Sequence, residues 1–217
     1  LRQKLFSVGF RIEHPQQSVD FAKFGKSVSH SELGHAEYKL VHHASNSHDV
    51  YSFCMCPGGR VVGATSNTGQ VVTNGMSQHS RNEVNANSGL VVNLTLEDLS
   101  NYGRWDGDPM AGVFLQEALE KKAFEMGGGN YYAPVQRLED FMASRKSIRF
   151  GSVRPSYLPG VKFANLNFSL PQPLIESIRE AIPKFASRFS FFNHPDAILT
   201  AVETRTSSPL RIPRDKF

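Results

Sequence analysis

Short stretches that alternate apolar and polar residues dominate the first half of the chain and predict β-strands. The first covers residues 5–12, and residues 16–24 then space their apolar side chains as a short helix does before Gly25. Four further stretches, rich in Val, Tyr, Phe and Thr, lie at 36–43, 50–56, 60–65 and 70–74. Turn residues separate these four stretches, so we predict a β-meander.

Helical patterns are concentrated in the second half. After a strand predicted at 87–94, Thr95 and Asp98 have the spacing of a helix N-cap. Longer helices are predicted at 109–126 and 174–189, with Pro183 inside the second, and a short one at 135–144. Residues 197–204 return to a strand pattern. This order predicts an α+β fold, an antiparallel or mixed sheet with helices packed on it, because the strict alternation of a doubly wound fold is absent.

Composition narrows the class of protein. The 217 residues are 40% hydrophobic and 20% charged, which predicts one large domain or two small ones with a sizeable core; no shift in composition marks a linker, and we predict a single domain, 1–217. The net charge of +4 is diffuse, and the densest basic stretch, 145–149, has no interleaved aromatic residues, so we predict no nucleic-acid partner. No apolar run approaches the roughly 20 residues that a membrane-spanning helix needs, so no membrane partner is predicted either. Strand-like stretches at both ends, 5–12 and 211–217, indicate a piece of a longer polypeptide.

The two cysteines, Cys54 and Cys56, are separated by one residue. On a regular strand both thiols would share a face, where they could be redox groups, metal ligands or buried core residues. So few cysteines argue against a secreted disulfide scaffold and favour a reducing compartment, the cytoplasm. The neighbouring His42 and His43 would point to opposite faces of a strand and could not easily share an ion, so we predict no metal site.

No familiar nucleotide-binding loop occurs in the sequence. Neither G-x-G-x-x-G nor G-x-x-x-x-G-K-[ST] is present. The glycine triplet at 127–129 follows a predicted helix, whereas a phosphate-binding loop precedes one, so we interpret the triplet as a helix end. Two other segments, 72–77 and 203–209, are dense in small hydrogen-bonding side chains where a predicted strand ends. They could hold a ligand, with the Arg205 fork suited to an anion or a carboxylate, or they could be turns that cap themselves locally.

Five segments in order, 9–16, 51–59, 72–77, 127–134 and 203–209, resemble a family of FAD-dependent dehydrogenases of unassigned substrate found in bacteria and plastid-bearing lineages. The resemblance implies an oxidoreductase domain excised from a larger protein: an inserted substrate or cap domain with its return strand, flanked in the same polypeptide by the FAD-binding halves. FAD would then belong to the full-length protein and would not bind this fragment tightly. The isolated fragment is expected to be inactive, and a plastid location is equally compatible if the source is eukaryotic.

The resemblance also implies which residues face the cofactor and the unknown small-molecule substrate. The expected cofactor-binding residues are Thr73, Asn74, Gly75, Met76, Arg205, Thr206, Ser207 and Ser208. The expected substrate-pocket residues are Cys54, Cys56 and Ser77. No catalytic residue is assigned. The alternative, from a different functional class, is a self-standing module in which Cys, His and Arg side chains bind a ligand or a metal.

Overall fold

A seven-stranded mixed sheet runs through the computed structural model, which describes residues 1–25 and 33–214. Neighbouring strands are antiparallel apart from the parallel pair at one edge, the last two named below. The α+β prediction is therefore confirmed. In spatial order the strands are β3 (Val41–His43), β4 (Asp49–Cys56), β7 (Asn85–Asn93), β2 (Ser7–Pro15), β10 (Ile198–Glu203), β8 (Ala133–Arg137) and β9 (Val161–Phe163).

Two small ribbons accompany the sheet, β1 (Arg2–Gln3) with β11 (Leu210–Arg211), and β5 (Gly59–Gly63) with β6 (Thr73–Ser77). The predicted β-meander is wrong, because β4 pairs with β3 and β7 while β5 leaves the sheet to pair with β6. Pro57 has no N–H for a sheet ladder, and Gly58 has a φ of 45°, so the chain turns out of the sheet there. Of the strand predicted at 211–217, only the first residue is in β11, and 215–217 lie outside the described residues.

The α-helices whose bounds lie within the described residues are α1 (Gln16–Phe24), α2 (Leu96–Ser100), α3 (Ala111–Gly127), α4 (Leu138–Met142) and α5 (Gln172–Arg188). The predicted cap is confirmed, since the Thr95 hydroxyl accepts from the Asp98 N–H in a capping box. The helix predicted at 135–144 is wrong over its first part, which forms β8 because Val135 and Gln136 pair with β10. Tertiary pairing outweighs local propensity there. No helix in the described part of the chain is long and apolar enough to cross a membrane.

Both faces of the sheet are covered, so β2 is buried along almost its entire length. One face carries Val8, Phe10 and Ile12, which pack in the main core beneath α1, α4 and α5; Phe10, for example, meets Phe141 of α4 edge to face. By strand alternation Arg11 points to the other face, where the β5–β6 ribbon and α3 form a second layer. A charged side chain is therefore enclosed between the sheet and the ribbon.

Candidate functional site

A buried guanidinium lies where five strands meet. Arg11 is 0% exposed, and its Nε donates to Glu203 Oε2 at 2.6 Å. Its Nη2 donates to Asn74 Oδ1 at 2.7 Å, while Nη1 donates to the Cys54 carbonyl at 2.9 Å and to Asn87 Oδ1 at 3.3 Å. We call these five residues, which come from β2, β10, β6, β4 and β7, the Arg11 cluster.

Arg11 and Glu203 form a buried ion pair within the cluster, and the other guanidinium nitrogens of Arg11 are also hydrogen-bonded. Glu203 is 1% exposed, and burial raises the pKa of its carboxyl while the adjacent Arg11 guanidinium opposes that rise. Such a pair is tolerated inside a protein only when its geometry is good and its remaining donors are satisfied. Because each of its acceptors comes from a different strand, Arg11 holds the ribbon, the end of β10 and the central sheet in one relative position.

A β-bulge in β4 leaves Cys54 exposed to solvent and Cys56 buried. The register of β4 on β7 shifts between Phe53 and Cys56, and Cys54 has a φ of 45°. The extra residue of such a bulge breaks the alternation of faces, so the same-face prediction for the two cysteines is wrong. Cys56 now opposes Asn87 and is buried, while the Cys54 side chain is exposed and its carbonyl turns inward to Arg11.

The β6 strand crosses the cluster at Gly75. A Cβ on this residue would lie 2.3 Å from Asn87 Oδ1 and 2.5 Å from Arg11 Nη1, so no larger residue fits there without displacing them. Thr73, on the same side of the strand, is fully buried. Met76 on the opposite side is 61% exposed, and the Ser77 hydroxyl donates to the Pro57 carbonyl at 2.7 Å.

Asn74 joins the cluster to the surface. Its Oδ1 accepts from Arg11 Nη2 and from the Gly75 N–H, each at 2.7 Å. Since only the oxygen of the amide can accept these hydrogen bonds, its Nδ2 points away from the guanidinium. That Nδ2 has no partner within the described ranges, and the residue is half-buried. Asn74 therefore presents an oriented and unused donor at the surface.

The second predicted segment lies beside the cluster and has other contacts. Arg205 donates to Glu120 of α3 from Nε at 3.2 Å and from Nη2 at 3.0 Å, and to Ser66 from Nη1 at 2.7 Å. The guanidinium fork thus holds a carboxylate, as its chemistry suggested, and that carboxylate belongs to the protein itself.

The hydroxyls after Arg205 make local or backbone contacts. Thr206 accepts from the Ser7 N–H and donates to the Ser7 carbonyl, each at 3.0 Å. Ser208 donates to the Leu210 carbonyl and accepts from its N–H. Ser207 is half-buried and has no hydrogen-bond partner in the described part of the chain. The contacts of Thr206 and Ser208 are of the kind expected of turn residues. Asn74 and Ser207 both keep a donor that no described residue uses, but only the Asn74 donor is oriented by hydrogen bonds to the other end of its group.

Sequence reasoning missed Arg11, Asn87 and Glu203 as members of a site. A signal for two of them was present, since Arg11 stands between Phe10 and Ile12 and Glu203 follows Val202, charged residues inside apolar strands. Charged side chains are rarely buried unless they are paired. Such isolated charges in two strands are therefore worth testing as partners of each other.

Among the described residues, no group of three or more His, Cys, Asp and Glu is placed to hold a metal ion. His42 contacts Glu180 through Nε2 at 2.9 Å, while His43 contacts Asp49 through Nδ1 at 2.6 Å. The hydrogen bonds from Ser45 and His42 lower the pKa of Glu180 to about 2. The neighbouring histidines therefore contact different carboxylates and do not share a ligand.

The fit of a dinucleotide can be tested at the glycine triplet. Gly127 ends α3, Gly128 has a φ of 101°, and its N–H donates back to the Glu125 carbonyl. The predicted helix end is thus confirmed, and these N–H groups cap a helix C-terminus, so no positive helix end is presented to an anion. The described residues offer no cradle for the pyrophosphate of FAD at this point.

Comparison with known proteins gives one family and one relative. The family model described as FAD-dependent protein, C-terminal domain-like, matches residues 5–206. A protein of Clostridium beijerinckii is 44% identical over 213 residues, which is 98% of this chain and 39% of that protein. The chain therefore spans less than half the length of this relative.

Proposed function

The chain belongs to the family of FAD-dependent proteins with this C-terminal domain-like region, and from this premise we propose that it is the substrate-side domain of a longer FAD-dependent oxidoreductase. In this proposal it covers the flavin ring and shapes the pocket for a small-molecule substrate. Other parts of the same polypeptide hold the adenine and pyrophosphate of FAD, so the isolated domain has no activity. The flavin supplies the redox chemistry, and this domain supplies position and shape. An exposed free cysteine fits a reducing compartment such as the cytoplasm.

The observation that carries this proposal is the convergence of separate segments on Arg11. Segments 9–16, 51–59, 72–77 and 203–209 each contribute one member of the Arg11 cluster. Because Arg11 is fully buried, it cannot touch a ligand, and its effect is on the shape of the surface above it. We define the cluster surface as the accessible side chains of Cys54, Asn74 and Met76.

Asn74 is the residue of the cluster surface best suited to contact a flavin. The ring carries carbonyl oxygens and ring nitrogens whose hydrogen bonds tune its electronics. An amide whose oxygen is already held by Arg11 presents its Nδ2 donor in a fixed direction, so little side-chain entropy is lost on binding. We therefore assign Asn74 Nδ2 as a hydrogen-bond donor to the flavin ring or to a substrate lying on it.

The test is Asn74→Asp in the full-length protein. Aspartate keeps the oxygen that accepts from Arg11 and removes the Nδ2 donor. One lost ligand hydrogen bond corresponds to about 1 kcal/mol or slightly more, so FAD is expected to bind roughly tenfold more weakly. The measurement is the FAD dissociation constant, from flavin absorbance or fluorescence during titration of the apoprotein.

Asn87→Asp is the matched control. Asn87 also accepts from Arg11 through Oδ1, but its Nδ2 is buried, has no hydrogen-bond partner among the described residues, and cannot reach a ligand. Both substitutions place one new carboxyl beside the same guanidinium. Equal loss of FAD affinity in the two variants, or no loss in Asn74→Asp, would contradict the assignment. A thermal melt of each variant separates loss of folding from loss of the contact.

A further inference from the structure

The two cysteines, two positions apart in the chain, differ in their accessibility to solvent. Cys54 is exposed, whereas Cys56 is 7% exposed. The Cys56 thiol donates to the Cys54 carbonyl oxygen at 3.3 Å, so the buried sulfur is turned back onto residue 54. The β4 bulge creates this arrangement, since it exposes one thiol and brings the other under the ribbon beside Arg11.

The spacing is compatible with a bond between the two sulfurs. Two residues span at most about 7 Å between Cα atoms whatever their conformation, which is within reach of a disulfide. The Cys56 sulfur is already turned toward residue 54, since its thiol lies 3.3 Å from the Cys54 carbonyl oxygen. Burial raises the pKa of Cys56 to about 11, and the adjacent Cys54 side chain adds to the rise, while Arg11 and Ser77 oppose it. Because Cys54 is exposed and Cys56 is buried, the Cys54 thiol is the first to meet a reagent.

We propose that Cys54 and Cys56 form a thiol–disulfide exchange site whose substrate is a low-molecular-weight disulfide. Neither the family match nor the flavin proposal assigns this role, and the inference does not depend on the flavin. The exposed Cys54 is the nucleophilic thiol, which attacks the external disulfide. The buried Cys56 is the resolving thiol, held beside the fixed positive charge of Arg11, which stabilises a thiolate as it forms.

The exchange balances in two steps. The Cys54 thiolate attacks one sulfur of the external disulfide, the S–S bond breaks, and the first external thiolate leaves and takes up a proton. Cys56 then loses its proton and attacks the Cys54 sulfur of the mixed disulfide, which releases the second external thiol and forms the Cys54–Cys56 bond. Two protein thiols are oxidised by two electrons in total, and one external disulfide is reduced to two thiols.

The experiment uses the reduced 217-residue chain, which contains only these two cysteines, so the thiol count is unambiguous. The native protein is incubated with oxidised glutathione, alkylated at intervals, and weighed by intact mass spectrometry. We expect the wild type to lose both thiols without retaining glutathione. Cys56→Ser should accumulate a stable adduct at Cys54, and Cys54→Ser should react at least tenfold more slowly than Cys56→Ser.

The wild-type result decides the proposal even if a variant folds poorly. A glutathione adduct that persists on Cys54 while Cys56 can still be alkylated would overturn the proposal. Separate glutathione adducts on both cysteines would overturn it as well. The same incubation in denaturant is the control, because there the buried thiol is freed and the difference between the two cysteines should disappear. No flavin is present, so failure here is distinguishable from failure of the Asn74 test.

Discussion

Replacing Glu203 with glutamine is expected to lower the free energy of unfolding by about 3 kcal/mol, because removing one partner of a buried ion pair leaves the other charge uncompensated. Arg11 is 0% exposed and cannot turn toward water without pulling the β5–β6 ribbon away from the sheet. Glutamine keeps the shape of the side chain and an acceptor oxygen, so the loss reports on charge. Urea unfolding followed by circular dichroism measures it.

Glu120→Gln provides the matched comparison. Glu120 is also buried, at 1% exposed, and also accepts from an arginine, Arg205. The Arg205 side chain is 34% exposed, however, so its charge can be solvated when the carboxylate is lost. We expect this substitution to lower the free energy of unfolding by about 1 kcal/mol, which is the usual contribution of a single hydrogen bond. If Glu203→Gln lowers the free energy of unfolding no more than Glu120→Gln does, the Arg11 cluster does not hold the layers together.

Acidification from pH 6.5 to 4.5 is expected to lower the free energy of unfolding through His14. Burial lowers the pKa of His14 to about 3, from 6.5 for an unperturbed side chain, and the nearby His194 adds to the shift. Neither ring nitrogen has a hydrogen-bond partner in the part of the chain that the structure describes, and the ring packs 5.1 Å from Phe191 and 4.9 Å from Phe192 between centroids. Between these two pKa values the unfolded chain binds the extra proton, so stability falls as pH falls. The loss is about 1.4 kcal/mol per pH unit, or roughly 2–3 kcal/mol over this range.

His14→Phe isolates the effect, since an aromatic ring without nitrogen suits the same surroundings. The measurement is the difference in the pH dependence of urea unfolding between the wild type and the variant at pH 4.5 and above. The buried carboxyls of Glu13 and Glu203, whose pKa values burial raises, contribute with the opposite sign to both proteins, so the difference reports on His14. Below that range Glu180 and Asp196 also contribute, because hydrogen bonds hold the pKa of each at about 2. A His14→Phe protein with an unchanged slope would contradict the assignment.

Much of the secondary structure follows from local patterns. The bounds of α1 agree with the prediction from apolar spacing and Gly25, and the capping box of α2 agrees with the spacing of Thr95 and Asp98. Both devices operate within a few residues, so the sequence nearby is sufficient. The family resemblance was likewise visible in ordered segments, and the family match covers 5–206.

The errors have a common origin in long-range pairing. Residues 133–137 form a strand because β10 lies beside them. The β5 strand is outside the sheet because β7, which begins 26 residues after the start of β5, takes the place next to β4. No local sequence pattern indicates which strand another strand will pair with. The bulge at Cys54 is of the same kind, since it is defined by the strand that β4 opposes.

The sequence by itself determined the α+β class, the bounds of α1, the cap of α2, the glycine end of α3 and the family of this protein. The tertiary structure alone decided which side chains meet, as in the pairing of Arg11 with Glu203, 192 residues apart. It also decided that Cys56 is buried while Cys54 is exposed, and that Asn74 keeps one free donor. The physical reason is that helix caps and turns are short-range interactions, whereas the pairing of buried charges depends on the order in which distant strands join one sheet.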